Sequence, residues 1–203
     1  MDKLRRDEHE NPQAALSHIR LRLKAATKEY SSGRLNAVQF NAIYRHYMEK
    51  RQIIEKLVER DPETDAWKAA ASPGSTGFIR DRFEARPLYY VVFRKDATTP
   101  LLAEGKIPRA AARQIFKLLQ GFWQTGNWRT GLARKQIEDG MWLLLMVGRQ
   151  SLTIVVYFLQ PSIIQLNQLR DLHSDFERAN AKALERNLPA KRMVFPQRAI
   201  LDK

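Results

Sequence analysis

Leu16, Ile19, Leu23, Ala26 and Tyr30 recur at alternating steps of three and four residues, which places them on one stripe of an α-helix. Residues 1–10, before that stripe, have mixed charge and no period, and read as a frayed lead-in. Ser31-Ser32-Gly33 ends the helix, since glycine can take the left-handed conformation of a helix terminus. Asn36 is placed to cap a second helix, with Gln39 three residues on in capping-box position. Phe40, Ile43, Tyr44, Tyr47, Ile54, Leu57 and Val58 keep one face of it apolar until Asp61-Pro62, and Trp67 falls in one more short turn of helix. The pattern predicts two antiparallel amphipathic helices. Ser72-Pro73-Gly74-Ser75-Thr76-Gly77, the stretch richest in Ser, Pro and Gly, reads as the start of a linker.

From Leu88 the period changes. Leu88-Tyr89-Tyr90-Val91-Val92-Phe93 reads as a strand buried on both faces, and Thr99 to Ile107 as a weaker one whose Pro100 suits an edge or a strand start. Pro108 suits the start of a helix, whose face is Ala112, Ile115, Phe116, Leu119, Phe122 and Trp123 and whose stop is Gly126. Arg134 to Glu138 and Met141 to Val147 then form a hairpin about Asp139-Gly140, and Leu152 to Leu159 follows after a second reversal. Ser162 with Gln165 makes a capping box, and Leu169, Leu172, Phe176, Ala179 and Ala183 carry the last helical stripe. The tail after Pro189 is expected to pack as an extended segment.

The predicted class is α+β: a helical hairpin at 1–71, a linker at 72–85, an α+β domain at 86–189 and a tail at 190–203. The domain's order, β-β-α-β-β-β-α, fits a five-stranded antiparallel sheet with two helices, which short connections would place on one face. Such a sheet leaves a face or edge to be covered by the hairpin or by a second copy of the chain.

Two resemblances bear on this plan. Ser32-Gly33-Arg34-Leu35-Asn36-Ala37-Val38-Gln39-Phe40 resembles the short helical hairpin called SHOCT, which implies oligomerisation or docking and no chemistry. The order over about residues 86–187, with the hairpin of Met141–Val147 and Leu152–Tyr157, resembles the profilin-like folds of the roadblock and longin type. That resemblance implies a scaffold that pairs with itself and serves a small GTPase or another acidic protein. Domains of the same order also bind small ligands as sensors.

Charge changes the picture. The 203 residues carry a formal net charge of +13, with 17 Lys and Arg against 13 Asp and Glu over residues 1–86, and 18 against 9 over residues 87–203. No dense basic block occurs, so the excess reads as a diffuse field that attracts polyanions, and nucleic acid is a possible partner. Its plainer meaning is a solvated basic surface. Absent cysteine removes disulfides and thiolate chemistry, no apolar run is long enough for a membrane span, and a cytoplasmic home is expected.

Candidate chemistry is sparse. His9, His18, His46 and His173 are not spaced as metal ligands, and Gly121, Gly126 and Gly131 do not form a phosphate loop. His173-Ser174-Asp175 are adjacent residues of one helix and point apart, so they cannot assemble a triad. Neither a metal nor a cofactor is expected, and the chain reads as a non-enzyme. Trp128, Arg129, Arg134, Lys135 and Arg149 combine an aromatic ring with cations as an anion or nucleic-acid site would. The alternative is that Trp128 plugs the helix-to-sheet corner and the cations stay solvated. The stripe of Trp142 and Tyr157 reads as sheet core rather than a ligand cage.

Overall fold

The structure, a computed structural model, describes residues 11–72, 76–95, 97–125 and 129–201. The lead-in at 1–10, Pro73-Gly74-Ser75 of the expected linker, the helix stop at Gly126 and Trp128 lie outside the described residues. The fold is α+β, a pair of long helices followed by a five-stranded antiparallel sheet, and the chain divides into two compact units with their boundary between Glu84 and Ala85.

In the first unit, α1 (Pro12–Ser31) starts where the Asn11 side chain accepts a 2.8 Å hydrogen bond from the Ala14 N–H, and ends before Gly33, whose φ is 75°. Helix α2 (Ala37–Arg60) has both arms of its capping box: Gln39 N–H donates to Asn36 Oδ1 at 2.8 Å, and Asn36 N–H to Gln39 Oε1 at 3.0 Å. Leu16, Ile19 and Ile54 bury against Trp67 of the short α3 (Trp67–Ala71), and Ala26, Leu35 and Ile43 form a second small core. Tyr30 and Tyr44 of the apolar stripe are instead exposed, their rings lying 4.6 and 5.7 Å from that of Phe40.

Part of the segment expected to be a linker is folded. Gly77–Arg82 is helix α4, and the same two capping side chains hold it, Asn36 Nδ2 donating to Phe83 O and Gln39 Nε2 to Arg80 O, both at 2.8 Å. An ion pair of Arg80 with Glu29 adds to them. A reading by composition sees the Ser, Pro and Gly of this segment but not the amide donors waiting on α2.

The second unit sets β1 (Arg86–Arg94) between β2 (Pro100–Gly105) and β5 (Ser151–Phe158), with β4 (Met141–Val147) and β3 (Gly131–Gln136) beyond, in the order β2-β1-β5-β4-β3. Strand β2 is an edge and begins at Pro100, where a missing N–H costs the ladder nothing. The turn between β3 and β4, Glu138 to Gly140, holds Asp139 and Gly140 at φ 57° and 71°, left-handed values that Asp and Gly tolerate, and is closed by Ile137 N–H donating to Met141 O at 2.9 Å.

The helices do not share a face. Val91, Phe93, Leu143, Leu145, Ile154 and Val156 pack with Ala111, Ile115 and Leu119 of α5 (Arg109–Thr125). Their strand neighbours Tyr90, Val92, Leu144, Val155 and Tyr157 pack with Leu166, Leu169 and Phe176 of α6 (Ile163–Glu185). Side chains alternate across a strand, so the two helices lie on opposite faces and the sheet is the middle layer. The expectation of one covered face fails because β4 is apolar throughout, as are β1 from Pro87 to Phe93 and β5 from Ile154 to Phe158, which a sheet with a wet face does not tolerate.

The tail also departs from its expected extended form. Ala190–Arg192 and Pro196–Ile200 are turns of 3₁₀-helix, with Met193 and Ile200 in the core beside α6. Asn180, buried on α6, fixes the path by donating to Val194 O at 2.7 Å and accepting from Val194 N–H at 2.9 Å.

Candidate functional site

Helix α5 presents two different faces. Ala111, Ile115 and Leu119 turn into the sheet at four-residue steps, while Arg109, Arg113 and Lys117, stepped in the same way, are exposed. Phe116, which the pattern placed on the buried face, is 59% exposed beside Arg113 and Lys117. Gln120 and Gln124 continue the outer surface, and α5 contains no acidic residue. Arg109 stands in the first turn, where the helix dipole disfavours a cation. Among the described residues, Arg109, Arg113 and Lys117 have no carboxylate partner.

Beside this helix, an open cleft of about 290 Å³ is lined by Gln114, Lys117, Leu118, Lys135 and Leu143. Strand β3 brings Lys135 to it: Lys135 pairs in register with Leu143, which packs toward α5, and Lys135 Nζ lies 3.5 Å from Gln114 Oε1. Two ammonium groups thus stand above a leucine floor, an arrangement suited to a ligand with an apolar body and negative charge.

The expected cations are only partly gathered. Lys135 lines the cleft, whereas Arg134 alternates to the α6 face with Leu132, and both are exposed. Arg129 is exposed just before β3. Arg149 lies in the turn between β4 and β5, its backbone N–H donating to Glu177 Oε2 at 3.1 Å and its residue exposed. Trp128 lies outside the described residues. Arg109, Arg113, Phe116 and Lys117 were missed, although a signal existed. From Gly105 to Ile137 the sequence has seven Lys and Arg and no Asp or Glu, a run that half-chain totals dilute.

A second polar cluster lies between the sheet and α6. The Glu177 carboxylate accepts the backbone N–H groups of Arg149, Gln150 and Ser151 and the Ser151 hydroxyl, at 2.8 to 3.1 Å. His173 Nδ1 is 2.8 Å from the Thr153 hydroxyl, and Nε2 points toward Glu177 Oε1 at 3.8 Å without a hydrogen bond. Burial holds the imidazole below its ordinary 6.5 against the pull of Glu177. Burial pushes the Glu177 carboxyl up, but the donors from Gln150, Ser151 and Arg149, with His173, hold it below its ordinary value. Ser151, Thr153, His173 and Gln197 are all at most 1% exposed, so this cluster welds α6 to the sheet rather than meeting a substrate. Of the residues rejected as a triad, Ser174 is exposed and Asp175 pairs with Arg178 at 2.5 Å.

Trp142 and Tyr157 are register partners in the α6-side core, and burial pushes the Tyr157 hydroxyl up to about 12. Among the described residues no group of His, Asp and Glu is arranged to hold a metal, and no helix is long and apolar enough to cross a membrane.

No protein-family profile, curated protein or solved structure matches the chain. The fold and the site therefore define its class by themselves: a three-layer α+β unit with a basic helix and a basic-rimmed cleft on one side of its sheet.

Proposed function

We propose that the second unit is a non-enzymatic interaction module that docks an acidic partner on the outer face of α5 and in the cleft beside it. The observation that carries this reading is the acid-free run from Gly105 to Ile137, whose cations Arg109, Arg113, Lys117 and Lys135 are exposed without carboxylate partners among the described residues. Arg109 opposes the helix dipole and so does not serve the helix, and a binding role accounts for it together with the rest of the row. The element order is the one that suggested the scaffold reading by resemblance to the roadblock and longin folds. A cytoplasmic setting suits a chain without cysteine.

The test uses the full chain on immobilised heparin. Retention that falls steeply with salt is expected, and the triple variant Arg113→Gln, Lys117→Gln, Lys135→Gln should elute at clearly lower salt with an unchanged circular dichroism spectrum. Co-elution of the variant with the parent protein discards this face as the docking surface.

Self-association is a second reading, favoured by the exposed Phe158, Ile163 and Ile164 clustered where β5 gives way to α6. Light scattering at tens of micromolar decides it, since a monomer throughout would remove it.

A further inference from the structure

We infer that the partner of the α5 face is a single-stranded nucleic acid, with Phe116 as the ring on which an unpaired base stacks; this rests on the reading of that face as a docking surface. Three features of the face converge on it. Arg109, Arg113 and Lys117 stand one per helical turn, about 6 Å apart along the axis, a row suited to the repeating phosphates of an extended strand. Phe116, 59% exposed, stands on the flank of this row, with Arg113 one turn before it and Gln120 one turn after it. An exposed phenyl ring is a loss in water, and a base face among phosphates recovers it. The remaining outer residues, Gln120 and Gln124, are amides that can both donate to and accept from base edges.

Composition separates this from an acidic protein face. Carboxylate partners require only the cations, and give no role to an exposed ring beside them. A duplex satisfies the cations equally well but hides its base faces, so the ring selects single strands. The cleft continues the surface, because Lys117 belongs both to the row and to its rim, and Lys135 supplies the next cation across Leu118 and Leu143.

Fluorescence anisotropy with a labelled oligothymidylate of about fifteen nucleotides, within the usual length of a single-strand site, tests the inference on the full chain. Four phosphate contacts predict a slope of log K against log salt of about −3, reduced by about 1.4 in the double variant Arg113→Gln, Lys117→Gln. Phe116→Ala should lower affinity about tenfold with the slope unchanged, and Phe116→Trp should restore it. A duplex of equal length should bind more weakly and ignore both changes at Phe116. If Phe116→Ala leaves oligothymidylate affinity unchanged, or if polyglutamate binds as tightly as the oligonucleotide, the inference is overturned. Retention on heparin that depends on Arg113 and Lys117 would in that case leave the docking face standing with an acidic protein as its partner, and failure to bind any polyanion would remove both.

Discussion

Glu177 shows how one side chain can fix a turn that its own sequence leaves loose. Beyond Gly148 the turn Gly148-Arg149-Gln150 carries no residue that fixes a tight reversal, yet three successive N–H groups, those of Arg149, Gln150 and Ser151, converge on this carboxylate. Gly148 belongs to the same device, because a Cβ there would overlap Glu177 Oε1 and His173 Nε2. The two titrations act in the same direction. His173 is held neutral, so stability is full above 6.5 and falls as acid protonates the imidazole more readily in the unfolded chain. The carboxylate of Glu177 is favoured by folding, so its contribution is present above the ordinary carboxyl value and lost as the pH falls through its depressed folded value. Urea denaturation across pH should show stability declining in both ranges. Glu177→Gln should cost about 2 kcal/mol at neutral pH, flatten the lower range and, because the carboxylate that raises the His173 value is gone, deepen the decline in the upper one. An acid profile identical in the two proteins would show that Glu177 does not carry this dependence.

Among the elements, those with a local chemical signature were legible in the sequence. Asn36 with Gln39 and Ser162 with Gln165 form the capping boxes their spacing predicts, and Asp139-Gly140 makes its hairpin turn. What could not be read depended on contacts distant in sequence. Strand β3 runs from Gly131, three residues before its expected start, because pairing with β4 continues to Val147 across residues that show no apolar alternation. Phe116 lay on an apolar pattern that also contained the buried Ile115 and Leu119, and only the direction of the sheet decides which of them face water. The layer order was legible but unread, since the seven apolar residues Met141 to Val147 cannot all turn to one face. Asn36 joins local to distant structure, and its two roles separate by substitution. Asn36→Ala should cost about 2 kcal/mol in urea denaturation, from the lost cap and the unpaired Phe83 carbonyl. Asn36→Ser keeps the cap and should cost about half as much. Equal losses would show that the bond to Phe83 carries the whole effect.

For the whole molecule, charge placement matters more than its total. The excess of +13 falls disproportionately on the α5 and β3 segment, while the first unit nearly balances its own charges. That segment also contains an end of the sheet. Strand β3 is an edge whose residues, apart from Leu132, are exposed, and its outer rim carries Arg134 and Lys135 on opposite faces. Two copies that met along this rim would bring ammonium and guanidinium groups together above and below the new seam. Arg134→Thr with Lys135→Thr should therefore raise light scattering at low ionic strength, whereas the parent protein should scatter more only as added salt screens the repulsion. A doubly substituted protein as quiet as the parent would mean that something other than charge guards the strand. The cations of β3 are thus placed as a lock against the chain's own kind, setting like charges along any seam that a second copy would make with this edge.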